Sequence, residues 1–433
     1  MLKCQTSLVV ALSLTAGTAL LGCGGDDGAP ARVDDDDATT TSTPSTSSSG
    51  NIDPDDSSSG FVPLCTPGEV RCSEAADAIE VCAGTGLEWE IQLACGTYST
   101  CQPCNDGQCT GPSCIGPCEL TETDPSSAGC AFVANRQLHA YQEFADGLVV
   151  TNPSDDLVAA IQVFEVPEGL LDESLTESFN LMPGESHTLE LTTEFVPGTG
   201  SNLRTGGIFR IYSDVPVVAY QHAPLRSNRG NESALLLPDR VLGNDYVVMS
   251  YNSRWGANVK GVSYFELVAL HDDTRIEWTP AMDTAGNGLP IDPVAAGETG
   301  SLVLNRYETI RIVSSVGQLE DPSDRGQYQS LDVSGTLIRA DRPVWVTGAN
   351  LSAGIPYSEG GATGDQIQET LFPLQHWGEQ YVLPAASERI WEEPRNEEQV
   401  DFWESSYYRV YAGAAGVTVE SDPPHPDFPV TLD

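Results

Sequence analysis

Lysine is almost absent from this chain, and its scarcity settles which partners the protein refuses. The 433 residues carry 20 Lys and Arg against 63 Asp and Glu, a formal net charge of −43, and beyond the first stretch the single lysine is Lys260. Phosphate backbones are held by Lys and Arg, so nucleic acid is excluded as a partner, and so is docking on anionic lipid by charge alone. Cysteine is missing from residue 131 onward, which leaves that part without covalent staples. Long apolar runs are missing too: outside residues 8–21, no stretch reaches the roughly 18 residues that a spanning helix needs. What is present is a hydrophobic content of 40%, enough for real cores, over a length that allows about two or three domains.

The start of the chain reads as an export address. Lys3 supplies a positive beginning and residues 8–21 an apolar segment, which closes on Leu20-Leu21-Gly22-Cys23. This closing string resembles a bacterial lipobox, in which the cysteine becomes the acylated N-terminus of the mature protein. The alternative is an ordinary secretory signal with an incidental cysteine. On the lipobox reading residues 1–22 are a signal peptide and Cys23 is the lipid anchor, each acyl chain contributing roughly 0.8 kcal/mol per buried CH₂. Gly24 follows where an aspartate would imply retention at the inner membrane, so the expected location is the outer membrane, surface exposed.

Residues 23–61 are rich in Gly, Ser, Thr, Pro and Asp, with nine acids and Arg32 as the one base. Such a segment buries too little apolar surface to offset its ordering entropy, and like charges keep it extended. It is expected to be a disordered tether with a mean span of about 35 Å. Of the acidic runs, 34–37 is a plain run of charge and 53–56 lacks the glycine and distal glutamate of a calcium loop, so both read as solvated spacer.

Setting aside Cys4 and Cys23, ten cysteines fall within residues 62–130: Cys65, Cys72, Cys82, Cys95, Cys101, Cys104, Cys109, Cys114, Cys118 and Cys130. An even number at this density in an exported chain predicts a small module stapled by five disulfides. Their connectivity stays open, since ten cysteines allow on the order of a thousand pairings. Cys101-Gln-Pro-Cys104 matches a redox C-x-x-C pair, but no βαβ pattern surrounds it and neighbouring thiols compete, so a structural bridge is the simpler reading. A zinc site from Cys101, Cys104, Cys109 and Cys114 fits on spacing but lacks any histidine within the cluster, and no metal is assigned. Short strands are expected at 69–73, 78–81 and 87–93, around Trp89.

From residue 131 the apolar residues recur with period two or in short runs rich in Val, Ile, Tyr and Leu. Runs at 147–151, 160–166, 188–191, 208–212, 215–220, 246–251, 264–270, 275–278, 309–313 and 344–347 are separated by Gly, Pro, Asn and Asp clusters, as in an all-β sandwich. Internal repetition adds to this. Asp214-Val215-Pro216-Val217 recurs as Asp341-Arg342-Pro343-Val344, each copy expected to open a strand. Leu237-Pro238 with Gly243 recurs as Phe372-Pro373 with Gly378, and 265–280 recurs as 408–423 with a weaker earlier copy at 148–164. A period of about 127 to 143 residues is the size of a whole sandwich. The predicted architecture is all-β: tandem antiparallel β-sandwich-like units at 131–262 and 263–433, the second with the start of a further repeat, preceded by the disulfide module and the tether.

The run from Ser233-Ala234-Leu235-Leu236-Leu237-Pro238 through Tyr246-Val247-Val248-Met249-Ser250-Tyr251, with Asp273-Thr274-Arg275-Ile276, resembles the N-terminal domain family of the IgG Fc-binding protein. The resemblance continues through Gly335-Thr336-Leu337-Ile338, Arg342-Pro343-Val344, Trp377-Gly378-Glu379-Gln380-Tyr381 and Tyr408-Arg409-Val410, covering about residues 130–433. It implies an extracellular, mucin-associated or adhesive setting for the animal members. The chain departs from the family pattern at Gly364-Asp365-Gln366, where many relatives place Cys-Asp-His.

Chemistry is harder to find. His139, His187, His222, His271, His376 and His425 are isolated in sequence, and neither a zinc-binding H-E-x-x-H nor a nucleophile elbow occurs. His271-Asp272-Asp273 comes nearest to a constellation, though at a strand end Asp-Asp-Thr is more simply a turn. Glu392-Glu393 and Glu397-Glu398 are adjacent acids in a polar loop, where a solvated face is the plainer account than glycoside chemistry. Trp391 and Trp403 flank that loop and are the weak candidates for ligand binding, by stacking on a sugar or anchoring a protein. The sequence therefore predicts a surface-tethered extracellular binding or adhesion lipoprotein without catalytic residues, cofactor or metal. Its partners are an extracellular protein or glycan and, through the anchor, the membrane. The competing class is an exported enzyme or carbohydrate-binding accessory acting on extracellular polymers.

Overall fold

The computed structural model describes residues 7–8, 11–12, 63–104, 111–120, 126–138, 144–191, 200–226, 232–255, 260–321, 323–355, 364–383, 389–392, 399–402 and 407–432. They fall into two compact units. One is drawn from 15–95 and 101–114, the other from 1–14, 96–100 and 115–433.

The cysteine-rich unit is built on a three-stranded antiparallel sheet, Val70–Cys72, Ala78–Cys82 and Trp89–Ala94. Disulfides substitute for a core that so few residues cannot supply. Cys65 is joined to Cys82, Cys72 to Cys101 and Cys95 to Cys114. Arg71, on one outer strand, pairs with Glu80 of the middle strand at 3.0 Å and lies 4.0 Å from the ring centroid of Trp89 on the other outer strand.

The larger unit is all-β and repeats one design twice. Each copy is organised by a long strand, Ile208–Ala223 in the first and Leu337–Ala353 in the second. The leading half of Ile208–Ala223 pairs with Gly129–Asn135 on one side and Ala159–Val166 on the other, and its trailing half with Asp146–Thr151 and Glu232–Leu235. Leu337–Ala353 does the same: Gly243–Val247 and Thr274–Thr279 flank its leading half, and Ser263–Ala269 and Asp365–Thr370 its trailing half. Outer strands complete the two sheets, which hold seven and eight strands among the described residues. Asn202–Thr205 leaves the first copy to pair with Glu308–Val313 of the second.

The expected strands at 208–212 and 215–220 are one continuous strand, and the Asp-x-Pro-Val motif lies at its middle and not at a beginning. The reason is local. Pro216 has no N–H to give, so the ladder to Gly129–Asn135 shifts register between Tyr212 and Val217, and the strand bends there to serve both layers. Asp214 covers the break by accepting the Ala160 N–H at 2.7 Å, and Asp341 accepts the Arg275 N–H at 2.9 Å in the equivalent place. The second repeated motif is also structural: Pro238 and Pro373 each precede a one-turn 3₁₀ helix.

Alternation creates the cores. In Ala159–Val166 the side chains of Ala159, Ile161 and Val163 are buried while Ala160 and Gln162 face out, the two-residue period of a half-buried strand. The first copy closes around Phe132, Leu148, Ile161, Ile211 and Val217, and the second around Tyr246, Phe265, Trp278, Ile310 and Val346. A third apolar cluster, including Ile208, Leu237, Val268, Tyr307 and Trp345, joins the copies.

Beside this cluster lies a fully buried polar network. Glu266 and Arg311 form an ion pair with no exposed surface. Asn135 Nδ2 donates to Glu266 at 2.8 Å and Asn135 Oδ1 accepts from Arg204, whose second arm donates to Gly207 O at 3.0 Å. Burial lowers the Arg204 guanidinium to about 10, with Glu266 opposing that shift. Residues of both copies thus share one set of charges, and neither copy can be withdrawn without stranding them.

Candidate functional site

A cleft on the larger unit is formed where two turns of the second copy and the middle of its long strand meet the outer face of the first. Its cavity of about 570 Å³ is lined by Arg210, Tyr212, Asp239, His271, Arg306 and Arg342, with Leu270, Asp272, Tyr307 and Pro343 completing the wall. That volume falls in the range of small-ligand sites.

The floor is rigid and charge-compensated. Arg210 projects from the first long strand and forks onto Asp239, with bonds of 3.1 and 2.5 Å, while its Nε donates to Tyr212 Oη at 3.2 Å. Burial opposes the charge on Arg210, but Asp239 and Tyr212 more than offset it, and the guanidinium is held charged above its usual range. Glu173 accepts from the Tyr212 hydroxyl at 3.0 Å and from the Tyr307 hydroxyl. Burial, then the bond to Glu173, pushes the Tyr307 phenol up, so it stays a neutral donor.

The rim has a different character. His271, Asp272, Arg306 and Arg342 are exposed. Arg306 lies 4.5 Å from the Tyr307 ring centroid, and its backbone N–H donates to Asp272 at 3.0 Å. Among the described residues neither the Arg306 nor the Arg342 guanidinium is engaged with a carboxylate. In a chain with so few cations, two uncommitted guanidiniums at one mouth form a local positive spot on an acidic surface.

His271-Asp272-Asp273 forms the turn that the sequence indicates: Asp273 has φ 54°, and Thr274 Oγ1 donates to His271 O at 2.7 Å. The same turn supplies a wall of the cleft. Cys101 is joined to Cys72 and not to Cys104, which is itself disulfide-bonded, so the C-x-x-C thiols are not a pair. Cys118 is joined to Cys130 at the start of the first sheet. Cys23, Cys109 and Trp403 lie outside the described residues, as do the Trp391 side chain and the acidic loop beside it. His187 bonds Glu177 at 3.0 Å and lies against the Phe179 ring, a surface contact away from the cleft between two strands that follow one another in the chain but stand at opposite ends of the strand order.

Sequence reasoning missed Arg210, Arg306, Tyr307 and Arg342. The signal was available for one of them: in the repeated tetrapeptide, Arg342 stands where the first copy has Val215. For the others, distant strands had to be brought together.

Fold and cleft define an all-β module with turns standing out from a sheet framework. The family described as IgGFc binding protein matches residues 232–433, which hold the second long strand and three walls of the cleft. This match supports a binding role outside the cell. No curated protein matches the chain.

Proposed function

We propose that this protein is a surface-tethered binding or adhesion lipoprotein, held by acyl chains on Cys23 and acting without turnover. The observation that carries the reading is the match of residues 232–433 to a family named for binding, on the part of the chain that builds the cleft. The lipobox-like string at Cys23 and the acidic stretch behind it support the tether: a charged, proline- and serine-rich spacer separates a folded body from its anchor. The ligand is an extracellular protein or glycan, since a net charge of −43 repels nucleic acid.

Labelling with radioactive palmitate tests the anchor. Label should enter the wild-type chain, and Cys23→Ala should remove it and release the protein from the envelope fraction. A variant that still sediments with membranes would refute the tether. Binding and catalysis are separated by screening the purified chain on glycan and protein arrays beside a panel of hydrolase substrates. Retained ligand without product is the expected outcome, and turnover that survives purification would overturn the reading.

A further inference from the structure

The two copies of the sandwich, superposed through their own hydrogen bonds, show which cleft residues the fold does not need. The outer hairpin turn of the first copy is Met182-Pro183-Gly184-Glu185 and that of the second is Asn305-Arg306-Tyr307-Glu308. Three features equate them. The glutamate closes each turn on a backbone N–H, Met182 at 2.9 Å and Asn305 at 2.7 Å. The third residue donates to the neighbouring strand end, Gly184 to Asn152 O at 2.9 Å and Tyr307 to Ala269 O at 2.7 Å. That residue has positive φ in both, 75° at Gly184 and 67° at Tyr307.

Pro-Gly suits such a turn, because proline presets φ for its first position and glycine accepts the left-handed conformation at no steric cost. The second copy instead places Arg306 and Tyr307 there, and an aromatic residue at positive φ is strained. Likewise Arg342 replaces Val215, which is 1% exposed, at the matched position before the mid-strand proline. One fold thus appears twice in the molecule. The copy that lines the cleft exchanges its Pro, Gly and Val for Arg, Tyr and Arg.

We propose that this cleft binds a singly charged acidic sugar, a pyranose carrying one carboxylate, within an extracellular glycan. Arg306 and Arg342 receive the carboxylate, for which the guanidinium fork is the matching donor. Tyr212, Leu270 and Pro343 offer apolar surface to the ring, and Asp272 and Asp239 are acceptors for its hydroxyls. These same carboxylates argue against a phosphate dianion or a polyacidic peptide, whose extra charge they would repel. The inference rests on the binding reading above and names the ligand class for one site.

The test is calorimetric titration of the full-length protein with a glucuronate-containing disaccharide, its neutral glucose counterpart, inorganic phosphate and an oligoglutamate peptide. The acidic disaccharide alone should bind, more weakly as salt is raised. Arg306→Gln and Arg342→Gln should each weaken it at least tenfold with unchanged melting temperature. Arg339→Gln, on the same long strand but outside the cleft and 3.6 Å from Asp245, should leave it unaltered. No uptake of the acidic disaccharide, equal uptake of the neutral one, preference for phosphate or peptide, or indifference to both cleft variants would each overturn the assignment. A ligand found on the arrays that binds both cleft variants as tightly as the wild type would sink this inference while leaving the general binding role standing.

Discussion

At the scale of single residues, the most consequential group is one that faces no ligand. Glu266 neutralises Arg311 and receives Asn135 in a site without water-accessible surface. Its removal leaves two guanidiniums, Arg204 and Arg311, buried near one another, and Glu266→Ala should cost about 3–5 kcal/mol. Urea unfolding would show this as a lower midpoint, whereas Glu266→Gln, which keeps the acceptor, should lose less. A second residue sets a pH response. Desolvation by the adjoining strand, then the charge of Glu232, pushes the Glu369 carboxyl up to about 7, and burial raises Glu232 and Asp365 as well. A carboxyl raised in the folded state contributes stability fully below its unfolded value, near 4.5, and loses it as pH rises through about 7. His222, lowered by burial, acts in the opposite sense, its contribution present above about 6.5 and lost below. Glu369 is crowded by that strand yet keeps an exposed flank, so water screens the effect and we expect less than about 1 kcal/mol. Melting curves should show Glu369→Gln gaining on the wild type from pH 5 to pH 8, and parallel curves would show that the carboxyl does not titrate in this window.

At the scale of elements, the long central strands carry the fold. Gly348 lies where Leu337–Ala353 passes under the preceding segment, and a β-carbon there would overlap the backbone oxygen of Met249. Backbone cannot yield as a side-chain tip can, so Gly348→Ala should destabilise by about 1–3 kcal/mol or more. Soluble yield and melting temperature check it, with Gly169→Ala, a positive-φ turn glycine with open space around it, as a milder comparison. The cysteine-rich unit should respond to different chemistry. Each closed loop restrains its unfolded chain by about 2–4 kcal/mol, so reduction should abolish that unit's calorimetric transition while the larger unit, which among the described residues holds the Cys118–Cys130 bridge alone, still melts cooperatively. Strand existence was legible here because half-burial imposes a two-residue period on Ala159–Val166 and its neighbours. The fusion of 208–212 with 215–220 was not, since a proline inside a strand reads as an interruption unless the bend it permits is seen.

At the scale of the whole molecule, charge dominates. A net charge of −43 on one chain means mutual repulsion that added salt relieves. The protein should gain melting temperature with NaCl, about 2–4 °C for each 1 kcal/mol of repulsion screened. A flat response up to molar salt would show the acids to be already well dispersed. This acidity also makes the cleft conspicuous, since exposed arginines are scarce on such a chain and two of them stand at one mouth.

Composition and periodicity were sufficient for the all-β class, the disulfide-rich segment and the repeat, because each is a local consequence of which residues alternate, crosslink or turn. The apolar pattern has to match the strand period wherever one face is buried, and a repeated motif has to fold the same way twice. The cleft belongs to a different order of information. Arg210, Arg306 and Arg342 span about a hundred and thirty residues, and although the repeated tetrapeptide singles out Arg342, nothing beside any of them announces that the three meet. Their convergence follows from how the two sheets pack around Trp345, Tyr307 and the Glu266–Arg311 pair. That packing is a property of the assembled core and of no single segment.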